Sequence, residues 1–160
     1  MMQRAKEAGV SRFFIPAIDA SYTERMLQLE KKYPNDVFLM MGLHPTSVKE
    51  NYLEELNLVK EWLEKRDFCA IGEIGMDLYW DKSFLTQQQE AFRTQIQWAK
   101  EKKLPIVIHC RDAFNEVFEV LESESLTARQ PFEAGSQVIS LIPKLVPACG
   151  CRFLCQFQLP

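Results

Sequence analysis

Phe68-Cys69-Ala70-Ile71-Gly72-Glu73-Ile74-Gly75-Met76-Asp77 is a short apolar run with a carboxylate set among glycines. A second run, Leu104-Pro105-Ile106-Val107-Ile108-His109, continues into Cys110-Arg111-Asp112. Both are continuously apolar rather than alternating, the pattern of a parallel strand buried on both faces. Each is followed by a segment of helical periodicity. Strands that end on Glu or His, with helices between them, are how a parallel α/β barrel presents reactive groups at one rim. The two runs therefore predict a fold and a chemistry together.

The same rhythm extends outward from them. Residues 2–8 read as the end of a helix stopped by Gly9. Arg12 to Ala17 reads as a strand, and Ser21-Tyr22-Thr23-Glu24 as a capping box. The helix it opens carries Tyr22, Met26, Leu29 and Tyr33 on one face and stops before Pro34. Val37 to Leu43 is an apolar strand running into His44-Pro45. Ser47 to Glu50 is read as the cap of a helix whose inward stripe is Leu56, Val59 and Leu63. Phe68 to Ile74 is the third strand, and Thr86 to Gln89 caps a helix with Phe92, Ile96 and Trp98-Ala99 facing in. Pro105 to His109 is the fourth strand. A last helix, from about Asp112 to Glu122, buries Phe114, Val117 and Leu121. Trp62, Trp80 and Trp98 are read as core or rim packing.

The count is four strands and five helical pieces. A closed eight-unit barrel takes about 250 residues. The expected fold is thus α/β, a partial (βα)8 TIM barrel of about four βα units over residues 1–124. Residues 125–160 break the rhythm. Their only charges are Arg129, Glu133, Lys144 and Arg152, and they hold half of the eight prolines. This segment is expected to be a divergent, non-native tail, such as a frameshift or a misplaced gene end leaves. Cys149, Cys151 and Cys155 within it lack the paired spacing and fourth donor of a metal site.

Composition sets bounds on function. The 160 residues are 47% hydrophobic and 26% charged, which is globular. A net charge of −3 advertises no basic field for nucleic acid, yet a metal ion can supply positive charge locally. No stretch approaches the roughly 20 apolar residues of a membrane span. No apolar segment of a signal peptide follows Met1-Met2-Gln3-Arg4. Five cysteines, an odd number, with two inside strands, suit a reducing, cytoplasmic setting. No protein partner is inferable.

Glu73 and His109 are the candidates for metal binding and catalysis. A carboxylate at the end of a buried strand is costly unless it is paired or metal-bound. The alternative is a salt bridge to an Arg or Lys on a neighbouring strand. Imidazole is a common metal ligand and a base. Adjacent parallel strands place their tips ~5 Å apart, close enough for a metal to bridge. His44, Asp77 and Arg111 lie within a few residues of these ends and are candidates for substrate binding. Arg111 suits bidentate phosphate binding, with an ion pair to Asp77 or Asp112 as the alternative.

Gly42-Leu43-His44-Pro45, Ala70 through Tyr79, Gln89 through Phe92 and Leu104 through Ala113 together resemble the TatD family of metal-dependent DNases, within the amidohydrolase-like TIM-barrel metalloenzymes. The resemblance covers roughly residues 1–124. It implies two or more divalent metal sites (Mg, Mn or Zn) that hydrolyse phosphodiester bonds, with DNA as substrate. It also implies Glu73 as the carboxylate that binds or bridges the metals, His109 as a second ligand, and His44 and Arg111 as residues lining the site. The family's opening His-x-His pair and its later His and Thr-Asp-Ser-Pro-like stretch have no counterpart here. The chain has only two histidines. The expected activity of the 160-residue chain is accordingly low or nil. Two other readings stand beside this one. One is a different barrel metallohydrolase, whose hallmark is a metal-bridging Lys at a strand end. The other is a non-catalytic fragment or interaction protein.

Overall fold

A computed structural model describes residues 2–125. Its elements run α1 (Met2–Glu7), β1 (Phe13–Pro16), α2 (Thr23–Lys32), β2 (Val37–Met41), α3 (Tyr52–Lys65), β3 (Ala70–Asp77), α4 (Leu85–Lys102), β4 (Ile106–Arg111) and α5 (Phe114–Ser125). The four strands form one parallel sheet in the order β1-β2-β3-β4. This is a half-barrel, the partial TIM barrel that the alternating pattern predicts. Residues 126–160, with Cys149, Cys151 and Cys155, lie outside the described residues.

Burial follows strand position. All of β3 is buried except Glu73, and β2 is buried except Phe38, whereas β1 is half-buried throughout. In β4 only Cys110 is fully buried. β1 and β4 are the sheet edges among the described residues, so each has one flank without a neighbouring strand. Helices cover the sheet with the expected stripes: Leu56, Val59 and Leu63 of α3, and Phe92, Ile96 and Ala99 of α4, are buried. These pack with Ile71, Ile74 and Met76 of β3 into one core.

Several local expectations are corrected. β3 does not end near Glu73 but continues to Asp77, and β4 continues past His109 to Arg111, because the two strands pair with each other over that length. Ser21 does not cap α2. Asp19 caps a 3-10 turn at Ala20–Tyr22 instead, its Oδ1 accepting from the Ser21 N–H and Oγ. Tyr22, placed in that turn, is exposed. Ser47 ends a second 3-10 turn, Pro45–Ser47, and α3 begins later, after Asn51. α4 begins ahead of Thr86, after Phe84. Phe114 is exposed because it opens α5, and Val120 fills the buried position beside Val117. Trp62 and Trp98 pack against the core, but Trp80 is exposed.

Candidate metal centre

The chain leaves β2 through Gly42 and Leu43 into His44. Space is tight there: a Cβ on Gly42 would lie 3.0 Å from Ile74 Cγ2 and 3.2 Å from Gln95 Oε1. Gln95, on α4 and fully buried, holds this segment by its backbone. Its Oε1 accepts from the Leu43 N–H at 2.7 Å, and its Nε2 donates to the Leu43 carbonyl at 3.3 Å. The following residue, His44, is thereby placed. Its Nδ1 lies 2.7 Å from Thr46 Oγ1 and 3.2 Å from the Thr46 N–H. Thr46 thus offers an acceptor or a donor, and either neutral tautomer of His44 finds a partner. The other ring nitrogen, Nε2, faces Glu73 Oε2 at 3.5 Å.

Glu73 owes its position to an irregularity in β3. Gly72 pairs with Val107 and Ile74 with Ile108, so Glu73 has no partner on β4. The Gly72–Glu73 peptide bond is cis. The glycines here make room for β4. A Cβ at Gly72 would stand 2.7 Å from Val107 Cβ. Gly75 has φ +136°, a conformation L side chains avoid, and a Cβ there would stand 2.1 Å from the His109 carbonyl oxygen. Glu73 is paired with His44 rather than with a neighbouring strand's Arg or Lys.

His109 sits on β4 with its ring centroid 4.4 Å from that of His44, inclined at 62°. Asp77 holds it through one ring nitrogen: His109 Nε2 lies 2.9 Å from Asp77 Oδ2. Asp77 is buried, and its own backbone is clamped by Gln88 of α4. Gln88 Oε1 accepts from the Asp77 N–H at 2.8 Å, and Gln88 Nε2 donates to its carbonyl at 3.1 Å. Ligand-capable atoms of His44, Glu73 and His109 all lie within 4.8 Å of one another. The structure therefore brings His44 together with the two strand residues and sets Asp77 against His109. Arg111 stands apart, its guanidinium 3.7 Å over the Tyr79 ring centroid and 5.3 Å from that of Trp80. It forms no ion pair among the described residues, with Asp77, Asp112 or any other carboxylate.

The electrostatics suit a cation. The hydrogen-bonding interaction with His44 holds the Glu73 carboxyl below its ordinary range, outweighing the opposing effect of burial. Burial lowers the His109 imidazole, and the bond to Asp77 offsets that in part. Both shifts favour an ionised Glu73 and a neutral His109, the protonation states metal ligands require. Cys110, pushed up to about 11 by burial, is a thiol at neutral pH and no competing ligand.

Sequence reasoning passes over Gln95 and Thr46 and treats Gln88 only as a helix cap. One signal was available: Gln88 and Gln95 are seven apart, two turns of helix, and so share the buried face with Phe92.

Consecutive parallel strands that bring a His–Glu–His cluster together define a half-barrel of the α/β type that carries metal-ligating groups. The chain belongs to the family of TatD related DNases, whose family model matches residues 1–132. It is 36% identical over 128 residues to the uncharacterized metal-dependent hydrolase YabD of Bacillus subtilis (strain 168), covering 80% of this chain and 50% of that one. It is 32% identical over 122 residues to the 3'-5' ssDNA/RNA exonuclease TatD of Pantoea ananatis (strain LMG 20103), covering 76% of this chain and 47% of that one. The crystal structure of the TatD homolog YjjV from Escherichia coli K12 superposes with a TM-score of 0.73 at 29% identity, over 89% of this chain and 57% of that one. The chain spans about half the length of the curated relatives it matches.

Proposed function

We propose that residues 1–124 form part of a TatD-type hydrolase that holds a divalent cation through His44, Glu73 and His109 and acts on phosphodiester bonds of nucleic acid. The observation that carries this reading is the convergence within 4.8 Å of three donors, one from the segment after β2, one within β3 and one within β4. The donor set fits the group: two imidazoles and a carboxylate are ligands for a borderline divalent ion such as Zn, whereas Mg and Mn favour oxygen donors. Three protein ligands leave a position open, as catalytic sites do. When bound, such an ion polarises a phosphoryl oxygen and acidifies a water. The chain's own residues then have separable roles. Glu73 supplies negative charge to the site, and His44 and His109 supply neutral nitrogens. Asp77 keeps the His109 ring oriented through Nε2, as carboxylates behind metal-bound histidines do. Arg111 offers a charged fork to phosphate near the strand tips.

DNA as substrate is supported by the family model and by the relative named as an ssDNA/RNA exonuclease. No helix among the described residues is long and apolar enough to cross a membrane. The cytoplasmic reading rests on the cysteines: five in number, with Cys69 and Cys110 as thiols. A single three-donor cluster is found among the described residues, and it accounts for one ion. The sequence also lacks the His-x-His pair and the Thr-Asp-Ser-Pro-like stretch that the resemblance implies, and low or no nuclease activity is expected of the 160-residue chain. Calorimetric titration with Zn and Mn tests the site. One ion per chain is expected, with at least a tenfold loss of affinity in both Glu73→Gln and His109→Asn. Absence of binding by the folded wild type would sink the metal reading. Brisk DNA cleavage abolished by Glu73→Ala would sink the expectation of low activity.

A further inference from the structure

The loop after β3 exposes two aromatic rings side by side. Trp80 is 73% and Tyr79 51% exposed. Their centroids are 4.7 Å apart and their planes perpendicular. Neither ring contributes to the core. The loop is nonetheless tied to the candidate metal centre through Asp77 and to β4 through Arg111. The Tyr79 N–H donates to Asp77 Oδ1 at 3.1 Å, and Asp77 Oδ2 is the atom that holds His109. The Leu78 N–H donates to the Arg111 carbonyl at 2.9 Å. The Arg111 guanidinium covers one face of Tyr79, leaving Trp80 as the more open ring. His109 and Arg111 are two apart on β4, so their side chains leave the same face of the strand, roughly 7 Å from one another.

We propose that Trp80, braced by Tyr79 and Arg111, is a stacking platform for an unpaired base of a single-stranded nucleic acid whose backbone reaches the His44–Glu73–His109 rim. The inference rests on the phosphodiester reading above and deepens it. An exposed indole beside a cation has two plausible occupants, an apolar protein segment or a nucleotide. The guanidinium decides between them. Burying it under an apolar segment strips its water without giving it a partner. A phosphate gives it two directed hydrogen bonds while the neighbouring base covers the indole. Every base has a π-face, so such a platform tolerates sequence. It excludes duplex, whose bases stack on each other.

The test is fluorescence anisotropy of the full 160-residue chain with a 5'-fluorescein oligo-dT 12-mer, in EDTA so that nothing is cleaved, and again with Zn, where low or no cleavage is expected. The wild type is expected to bind the single strand and to prefer it over duplex of equal length. Trp80→Ala is expected to weaken binding roughly 5- to 150-fold, the range for loss of one base–aromatic stack. Trp80→Phe should stay within a few-fold of wild type. Arg111→Gln should lower the salt dependence by about one phosphate contact. Zn or Mn binding by calorimetry should be the same in Trp80→Ala as in wild type, which certifies a folded rim. Tryptophan quenching on oligonucleotide addition should vanish in Trp80→Phe and persist in Trp62→Phe. Equal oligonucleotide affinity of wild type and Trp80→Ala overturns the platform and leaves the phosphodiester reading standing. So does a Trp80→Ala variant changed only in self-association, which marks the patch as a protein contact. No oligonucleotide binding by a wild type that still binds metal overturns the platform and the nucleic-acid assignment together.

Discussion

Replacing Gln95 with leucine keeps the bulk of a buried side chain but removes both ends of its clamp on Leu43. The wild-type amide accepts from the Leu43 N–H at 2.7 Å and donates to the Leu43 carbonyl at 3.3 Å. A third bond, to the Ala91 carbonyl at 3.1 Å, is dispensable because the ladder of α4 already serves that oxygen. The variant leaves a buried N–H without an acceptor, at a cost of about 1–3 kcal/mol, and a carbonyl short of its donor, at somewhat less. Leucine regains some transfer energy, so a net loss of about 2–4 kcal/mol is expected, a large share of a total of roughly 5–15. The effect reaches the site, because Leu43 precedes His44. Metal affinity should fall about 10- to 100-fold, as for residues that orient a ligand. Urea denaturation followed by circular dichroism reads the first quantity. Calorimetry reads the second, and hydrogen exchange at the Leu43 amide localises the cause. An unchanged urea midpoint together with unchanged protection of Leu43 would refute the clamp. Loss of stability with metal affinity intact would refute its reach to His44.

Gly75→Ala places a Cβ 2.1 Å from the His109 carbonyl at φ +136°; strain and overpacking together should cost about 2–5 kcal/mol and displace β4, seen as a lower melting temperature and weakened Zn binding. Acid should destabilise the chain. His109 titrates below its ordinary 6.5 and Glu73 below its ordinary 4.5, so the folded state binds fewer protons than the unfolded state and stability rises with pH. The His109 share is present above 6.5 and lost as pH falls toward its lower folded value; the Glu73 share is lost only below 4.5. Urea midpoints at pH 7.5 and 5.5 should therefore differ in wild type and converge in His109→Asn; equal convergence in wild type contradicts the assignment.

Much of the fold is legible in the sequence because a strand buried on both faces must be apolar throughout, and the runs at Val37, Ala70 and Ile106 are. The helical stripe Leu56, Val59 and Leu63 is legible for the same reason. Strand ends are not. β3 and β4 continue through Glu73 and His109 because each backbone pairs with the other out to Asp77 and Arg111, and pairing between distant segments leaves no local mark. Helix starts mislead likewise: Ser21 and Ser47 have cap chemistry, but Asp19 and the 3-10 turn at Pro45 occupy the geometry first.

The candidate site divides along the same line. Residue type and position by themselves picked out Glu73 and His109, since a carboxylate and an imidazole at the close of buried apolar runs need a partner or an ion. Only the tertiary structure decided the rest. It brought His44, from the segment after a third strand, into reach of both and set Asp77 against His109. It also turned Gln88 and Gln95 inward to hold the two backbones that carry these groups. Those are relations between segments up to 52 residues apart. They follow from sheet order and helix packing, which bring distant backbone polar groups together in a place without water, where each must find a partner.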